Sequence, residues 1–203
     1  MPADKLLRLK TLLHVYSAQH PEQRAEELTR ELFFKTRLCY RGVSYEFACV
    51  EFYFDDDPYC HRHREQYAFG KWYFHKVKTK ARDASALMMV RRLGVDITFG
   101  DGVRAGGILI RALRCEDGTI INGPARILNH LFSGRWNART ITKTIHDIEE
   151  EDAPIWESRL RIIPHSGPYG NVHKDARVGL RARDEHRAHW AKKPLRFSIL
   201  PLK

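Results

Sequence analysis

A carboxylate inside an apolar and aromatic run is the residue of this sequence best suited to chemistry. Glu51 follows Val50 and precedes Phe52, Tyr53 and Phe54, in a stretch whose composition favours a β-strand. A carboxylate buried there is costly unless it is paired or catalytic, and the catalysis that a carboxylate offers is proton transfer. The alternative is a glutamate on an edge strand whose side chain faces water.

A second charged residue also interrupts an apolar run. Arg111 lies within residues 107–113, which read GILIRAL. A guanidinium in such a run needs a buried acidic or phosphate partner. A structural arginine–carboxylate pair and an arginine that holds a reacting group are both compatible with this pattern.

Histidine and cysteine concentrate between residues 60 and 75. Cys60, His61 and His63 lie close together, and His75 follows later in the chain. Their spacing matches no standard zinc pattern, so we predict no metal site. The cysteines of the chain show no CxxC spacing, and free thiols are expected.

The hydrophobic pattern predicts the elements that must position these residues. Leucines between residues 6 and 16 keep helical spacing, and a second helix begins at Pro21. Residues 38–54 favour two strands that turn at Gly42. In the second strand, alternate side chains are expected to share one face, namely Tyr45, Phe47, Cys49, Glu51 and Tyr53.

The rest of the chain alternates between strand and helix patterns. A loop begins at residues 55–58, DDDP, and a mixed pattern with an acidic cluster occupies residues 141–157. Helices are predicted at residues 83–92 and 122–131. Further strands are predicted at residues 71–77, 95–99, 107–113, 156–163 and 194–200. One mixed α/β domain is the simplest organisation.

The charge balance favours a polyanionic partner. The 203 residues carry a formal net charge of +10 at pH 7. Such an excess repels itself in the folded protein, and binding to a polyanion relieves the repulsion. Nucleic acid is the commonest such partner, and a basic protein without one is the alternative.

The composition argues against a membrane protein and against a secreted protein. Hydrophobic residues make up 43% of the chain and charged residues 30%, as in globular proteins. No apolar run approaches the roughly 20 residues of a membrane-spanning helix, and charges interrupt residues 6–15, unlike the core of a signal peptide. We expect a cytoplasmic protein, associated with the nucleoid if bacterial, with no membrane partner.

Three blocks of sequence together form a known pattern. One block reads ARVG at residues 176–179 and WAKKPLRF at residues 190–197. Another reads GILIRAL at residues 107–113 and NGPARIL at residues 122–128.

The remaining block contains the carboxylate within the apolar run. It reads Val50-Glu-Phe-Tyr53, followed by Asp57 and His61. With the blocks in this order, residues 22–200 resemble the alkyladenine (3-methyladenine, or methylpurine) DNA glycosylase family.

The resemblance implies both a fold and an activity. The fold would be a single mixed α/β domain around a curved antiparallel β-sheet with flanking helices. Residues 21–203 would form the glycosylase-like domain, and residues 1–20 an N-terminal helical extension. The family excises alkylated or deaminated purines and leaves an abasic site, as the first step of base excision repair. It needs no metal or organic cofactor, so none is expected here, and we expect a monomer.

The resemblance also implies roles for individual residues. Glu51 would deprotonate the water that attacks C1′ of a flipped nucleotide, and Arg111 would help to hold that water. The base pocket would be formed by Tyr53, His61, Tyr73, His75 and Asp96. His75 replaces a stacking aromatic residue of the family, and Asp96 replaces an asparagine, which would alter the charge of the pocket.

Two alignments of the catalytic block remain open. The family carries V-E-T-E-A-Y, whereas this chain has one glutamate here. Matching Glu51-Phe-Tyr53 to E-x-Y makes Glu51 the general base. Matching Val50-Glu51 to V-E instead puts Tyr53 in the catalytic position and leaves no base.

Basic residues in two regions are expected to contact DNA, either a damaged duplex or a single strand. They are Lys76, Lys78, Lys80, Arg82, Arg91, Arg92, Lys192 and Lys193. Further candidates for phosphate contact are Arg177, Arg181, Arg183, Arg187 and Arg196, and a solvated basic face is the alternative. The sequence thus leaves three hypotheses, which are a monofunctional DNA glycosylase, a non-catalytic DNA-binding homologue and a basic RNA-binding protein.

Overall fold

The computed structural model describes residues 5–14, 21–76, 92–133 and 138–199. The helices in these ranges are α1 (Leu7–His14), α2 (Pro21–Lys35), α3 (Pro124–Ser133), α4 (Ala138–Glu150) and α5 (Glu185–Lys192). The strands are β1 (Thr36–Tyr40), β2 (Val43–Phe54), β3 (Phe69–Lys76), β4 (Arg92–Phe99), β5 (Gly106–Arg114), β6 (Ile120–Asn122), β7 (Leu160–Pro164), β8 (His173–Asp175) and β9 (Arg196–Ser198). A short 3-10 helix, Arg64–Tyr67, lies between β2 and β3. None of the described helices is both long and apolar enough to span a membrane.

The described strands form one antiparallel sheet that curls into a half-barrel. Along its main path the order is β3, β4, β5, β2, β1 and β7. β2 pairs with β5 along one edge, and along the other edge it pairs first with β1 and then with β9. The mixed α/β class and the curved antiparallel sheet predicted from the sequence are confirmed.

The curl brings the two ends of this path together. Trp72 of β3 donates its indole N–H to the carbonyl oxygen of Leu160 in β7, at 2.6 Å. Beside this bond, the N–H of Ile155 donates to the carbonyl oxygen of Gly70 at 2.8 Å. A Cβ at Gly70 would come within 2.6 Å of the Trp156 ring, and φ at Gly70 is +65°, so this contact requires glycine.

An irregularity in the pairing of β2 with β5 changes which side chains share a face. The register shifts between Phe47 and Cys49 and shifts back between Cys49 and Val50. Phe47 therefore packs in the same core as Val50, whereas Tyr53 belongs to a separate cluster and bonds Glu51. The prediction that Tyr45 and Phe47 share the face of Glu51 is wrong, because the alternation of side chains reverses at this irregularity.

Helices cover the core side of the sheet. Leu28 and Leu32 of α2 are buried there, as their helical spacing predicts. Leu9 and Leu13 of α1 lie in the same core, so the described part of the N-terminal segment packs against the sheet and α2. α3 begins at Pro124, where the sequence predicts a helix.

Two helices lie where the sequence analysis predicts none. α4 occupies most of the segment interpreted as mixed, although Ile141, Ile145 and Ile148 keep helical spacing and the last two are buried. α5 has no apolar stripe, since Trp190 is its buried residue, and its signal is the cap, because Asp184 accepts a hydrogen bond from the N–H of Arg187 at 2.7 Å.

We predict that Trp72→Phe lowers the free energy of unfolding by about 1–3 kcal/mol, because it leaves the buried carbonyl oxygen of Leu160 without its donor. Urea denaturation measures this change. Val103→Ala is the control, since Val103 is 81% exposed and its replacement should change stability by less than about 0.5 kcal/mol. Equal stability of the two variants would contradict the role of this bond in closing the sheet.

Candidate functional site

A pocket of about 300 Å³ opens where the curled sheet meets the C-terminal segment. Its volume is at the lower end of the range for small-molecule sites, which suits a ligand as small as one base. The strands β2, β3, β4 and β5, the loop after β2 and the start of α3 all contribute side chains. The lining residues are Tyr53, Tyr59, His61, Gln66, His75, Asp96, Leu109, Arg111, Pro124 and Leu180.

Glu51 lies directly behind this pocket and is completely buried. Its Oε2 accepts a hydrogen bond from the Tyr53 hydroxyl at 3.0 Å, and its Oε1 accepts from the N–H of Val178 at 3.1 Å. Arg111 Nη1 lies 3.7 Å from Oε2. Because β2 is paired on both edges at this position and Glu51 has no exposed surface, the alternative of an edge-strand glutamate facing water is wrong.

Burial and the charge of Glu51 together shift the pKa values of two neighbouring side chains. Burial and the nearby Glu51 charge both raise the pKa of Tyr53, so its hydroxyl stays protonated and donates to the carboxylate. Burial and the same charge raise the pKa of Cys49 to about 12, so this thiol stays neutral.

A buried ion pair fixes the C-terminal segment onto the loop after β2. Arg177 and Asp57 form this pair, and neither side chain has exposed surface. The guanidinium also donates to the carbonyl oxygens of Phe52 and Trp190, each at 2.9 Å. Its Cζ lies 4.6 Å from the centre of the Tyr53 ring, a cation–π contact. Val178 follows Arg177 directly in the chain. The ion pair therefore also positions the Val178 N–H, which donates to Glu51.

The second carboxylate of the pocket is also buried and has its own partners. Asp96 is 1% exposed; its Oδ1 lies 2.7 Å from His75 Nε2, and its Oδ2 accepts from Gln66 Nε2 at 3.1 Å. A Cβ at position 107 would come within 2.6 Å of Asp96 Oδ2, so Gly107 allows this close approach.

The two carboxylates belong to one row across the sheet. Leu109 of β5 is the register partner of Glu51 in β2 and of Asp96 in β4. With strands about 4.8 Å apart, the backbones at the two acidic positions are separated by about 10 Å, with an apolar side chain between them. Each carboxylate therefore has a separate set of partners.

His75 and His61 have opposite pKa shifts although their rings lie 4.6 Å apart. Burial alone would lower the pKa of His75, but the Asp96 charge and hydrogen bond outweigh it and raise that pKa. Burial and then the His75 charge lower the pKa of His61. The His61 Nδ1 lies 3.0 Å from the Tyr73 hydroxyl. His75 is therefore the more readily charged of the two.

The structure brings most of the predicted pocket residues together. Those that line the pocket are Tyr53, His61, His75, Asp96 and Arg111. Glu51 and Tyr73 lie one layer behind it, where each contacts a lining residue.

The predicted DNA contacts are more widely placed. The backbones of Lys76 and Arg92 are register partners at the ends of β3 and β4. The others of that group, Lys78, Lys80, Arg82 and Arg91, lie outside the described residues, as does most of the helix predicted at residues 83–92. Lys192 is exposed at the end of α5, and Lys193 Nζ lies 3.8 Å from the centre of the Trp190 ring. The prediction that Arg177 contacts phosphate is wrong, because its guanidinium is buried against Asp57.

Three contacts of the candidate site were not predicted from the sequence. They are the Asp57–Arg177 pair, the Val178 N–H on Glu51 and the Gln66 amide on Asp96. The sequence pattern ARVG signals the first two, because it places an arginine directly before Val178. Gln66 lies in a short 3-10 helix of polar residues and has no comparable signal.

No group of three or more histidine, cysteine, aspartate or glutamate side chains in the described ranges is arranged to hold a metal ion.

A scan of the sequence against protein-family models finds no match, and a search of curated proteins finds none either. Inference about function therefore depends on the pocket's own residues.

We predict that Asp57→Asn lowers the free energy of unfolding by about 3–5 kcal/mol, because it leaves the buried Arg177 without a counter-charge. Urea denaturation measures this loss. The double variant Asp57→Leu/Arg177→Met should lose less, since it buries no unpaired charge. A single variant within about 1 kcal/mol of the unaltered protein would contradict the proposed role of the pair.

We predict that NMR titration finds the imidazole pKa of His75 above its ordinary 6.5 and that of His61 below 6.5. In Asp96→Asn the His75 pKa should fall, because only the effect of burial remains. By linkage, the stability contributed by the His75–Asp96 pair is complete below pH 6.5 and is lost as the pH rises through the raised folded-state pKa. An unchanged His75 pKa in the variant would contradict the assignment.

Proposed function

We propose that the protein is a monofunctional DNA glycosylase that excises alkylated or deaminated purines in base excision repair. The observation that carries the proposal is the completely buried Glu51 carboxylate, whose contacts Tyr53 and Arg111 both line the aromatic pocket. A buried carboxylate next to a pocket of base size is a candidate general base. Glu51 and Arg111 are also the residues to which the sequence resemblance assigns this chemistry.

The pocket suits a flipped base. The glycosidic carbon is unreachable inside a stacked duplex, so the nucleotide must leave the stack before hydrolysis. Tyr53, Tyr59 and the imidazoles of His61 and His75 offer flat faces around the pocket, and a purine stacks on such faces.

The nucleophile in this proposal is a water molecule held near Arg111. Glu51 accepts the proton of that water as the oxygen attacks C1′, and the electron pair of the bond from C1′ to the base nitrogen passes to the base. A cationic base thereby leaves as a neutral purine, and an uncharged base becomes neutral again by taking up a proton from solvent. Because Glu51 lies one layer behind the pocket, the water approaches it between Tyr53 and Arg111, whose contacts with Oε2 are 3.0 and 3.7 Å long. A carboxylate also stabilises the positive charge that develops on the sugar, and no lysine nucleophile is required.

Basic residues close to the pocket support a DNA partner. The Tyr59 hydroxyl lies 3.0 Å from the carbonyl oxygen of Arg181 and 3.3 Å from that of Arg187, which places this segment beside the pocket. Arg181 and Arg183 are exposed, as is Lys192. Such cations bind phosphates through counterion release, so binding is expected to weaken as salt increases.

We predict that Glu51→Gln lowers the rate of base release about 10²–10⁴-fold, the usual contribution of a general base, because the amide cannot accept the proton. The assay uses duplexes that carry 3-methyladenine, ethenoadenine or hypoxanthine, and it detects abasic sites by their alkali lability. Glu46→Gln is the matched control, since Glu46 also lies in β2 but binds Arg37 and Arg114 rather than the pocket residues. We expect its rate to stay close to that of the unaltered protein.

Two outcomes would contradict the catalytic assignment. Release at the same rate by the Glu51→Gln and Glu46→Gln variants would exclude Glu51 as the base. Tight binding of damaged duplexes without release, by the unaltered protein and by both variants, would favour the non-catalytic DNA-binding homologue.

A further inference from the structure

We propose that the His75–Asp96 pair selects the flipped base by charge, favouring an uncharged purine with a hydrogen-bond acceptor over a cationic alkylated purine. The inference rests on the base-binding part of the proposed function and goes further by naming the class of base. It concerns one wall of the pocket, on β3 and β4, and it does not involve the hydrolytic group Glu51.

The first observation is that the negative charge of Asp96 is already satisfied inside the protein. Asp96 is 1% exposed, and its two oxygens contact His75 Nε2 and Gln66 Nε2, at 2.7 and 3.1 Å. Gly107 provides the space for the second of these contacts. A cationic base would therefore meet His75 rather than the carboxylate.

The second observation is that the His75 imidazole is held by Asp96 and also lines the pocket. Its side chain is 16% exposed and lines the pocket, while Asp96 holds the ring through Nε2. A protonated imidazole donates from both nitrogens, so Nδ1 is a second donor. A donor that carries positive charge favours acceptor atoms and disfavours a cation.

The surrounding groups strengthen this polarity. His75 faces Asp96 of β4, His61 of the loop after β2 and Tyr73 of its own strand, and Arg111 of β5 lines the same pocket. The pKa of His75 is raised and that of His61 is lowered, so His75 is the histidine of the pocket that stays protonated up to the higher pH.

The test measures binding without hydrolysis. Duplexes carry 2′-fluoro nucleotides, which resist cleavage, with either uncharged ethenoadenine or cationic 3-methyladenine, so both bases derive from adenine. Dissociation constants are measured at pH 6 and pH 8. We expect the unaltered protein to bind ethenoadenine about tenfold or more tightly than 3-methyladenine at pH 6, as a like-charge contact disfavours the cation.

Two variants separate the charge of His75 from its shape. His75→Gln keeps a polar donor without the charge, and it should reduce the selectivity about tenfold at both pH values. Asp96→Asn keeps His75 but removes its counter-charge, so selectivity should be lost at pH 8 and partly return at pH 6. Because it retains the shape of the carboxylate, this second variant keeps the test valid even if His75→Gln fails to fold.

The outcomes distinguish this inference from the proposed function. Equal or tighter binding of 3-methyladenine by the unaltered protein at pH 6 overturns the inference, while base release in the cleavage assay would still support a glycosylase. Selectivity for ethenoadenine that depends on His75, without base release, supports the inference and contradicts the enzymatic proposal. Binding of neither damaged duplex above an undamaged one overturns the inference.

Discussion

The buried ion pair between Asp57 and Arg177 is the interaction on which the rest of the site depends. Two charges held out of water are stable only when good geometry and further hydrogen bonds offset their desolvation. Here the guanidinium also binds two backbone carbonyl oxygens, of Phe52 and Trp190. It thus joins β2, the loop after it and the end of α5, and it leaves the N–H of residue 178 directed at Glu51.

The curled sheet explains how two carboxylates can share one pocket without sharing partners. Leu109 separates them in the row that runs across β2, β5 and β4. Glu51 is satisfied by a tyrosine hydroxyl, a backbone N–H and a nearby arginine, whereas Asp96 is satisfied by an imidazole and an amide. Behind one side of the pocket, the Glu51 carboxylate lies beside the Arg111 guanidinium and the Tyr53 hydroxyl. On the other side lies His75, whose pKa is raised.

Local sequence patterns predict the parts of this protein that are formed by neighbouring residues. Helical spacing gives α1 and α2, the cap residue Asn122 and the early Pro124 give α3, and the β-favouring run with Gly42 gives the β1–β2 hairpin. The face of β2 is predicted correctly for Glu51 and Tyr53 but not for Phe47, because the alternation reverses where the pairing of β2 with β5 is irregular, and the sequence of one strand does not show how it pairs with another. α5 is missed because it has no apolar stripe and is specified by its cap.

The site is predictable where a residue type conflicts with its surroundings. Glu51 and Arg111 are each a charge within an apolar run, and they lie 3.7 Å apart in the fold. The donors to the two carboxylates are less visible in the sequence, since Gln66, which donates to Asp96, and the N–H of Val178, which donates to Glu51, are ordinary polar groups. The same holds for Tyr73, which the resemblance assigns to the pocket and which lies behind His61.

The ion pair between Asp57 and Arg177 joins residues that lie far apart in the chain, and this separation affects the order of folding. Asp57 and Arg177 are 120 residues apart, and 127 residues separate Glu51 from the N–H of Val178. Contacts at such separation carry a large loop-closure cost and form late, after the local hairpins and helices. During synthesis, strands β1 to β5 leave the ribosome long before residue 178 does. The Glu51 carboxylate therefore gains its backbone donor only when nearly the whole domain has emerged, so a competent pocket and a completed fold arise together.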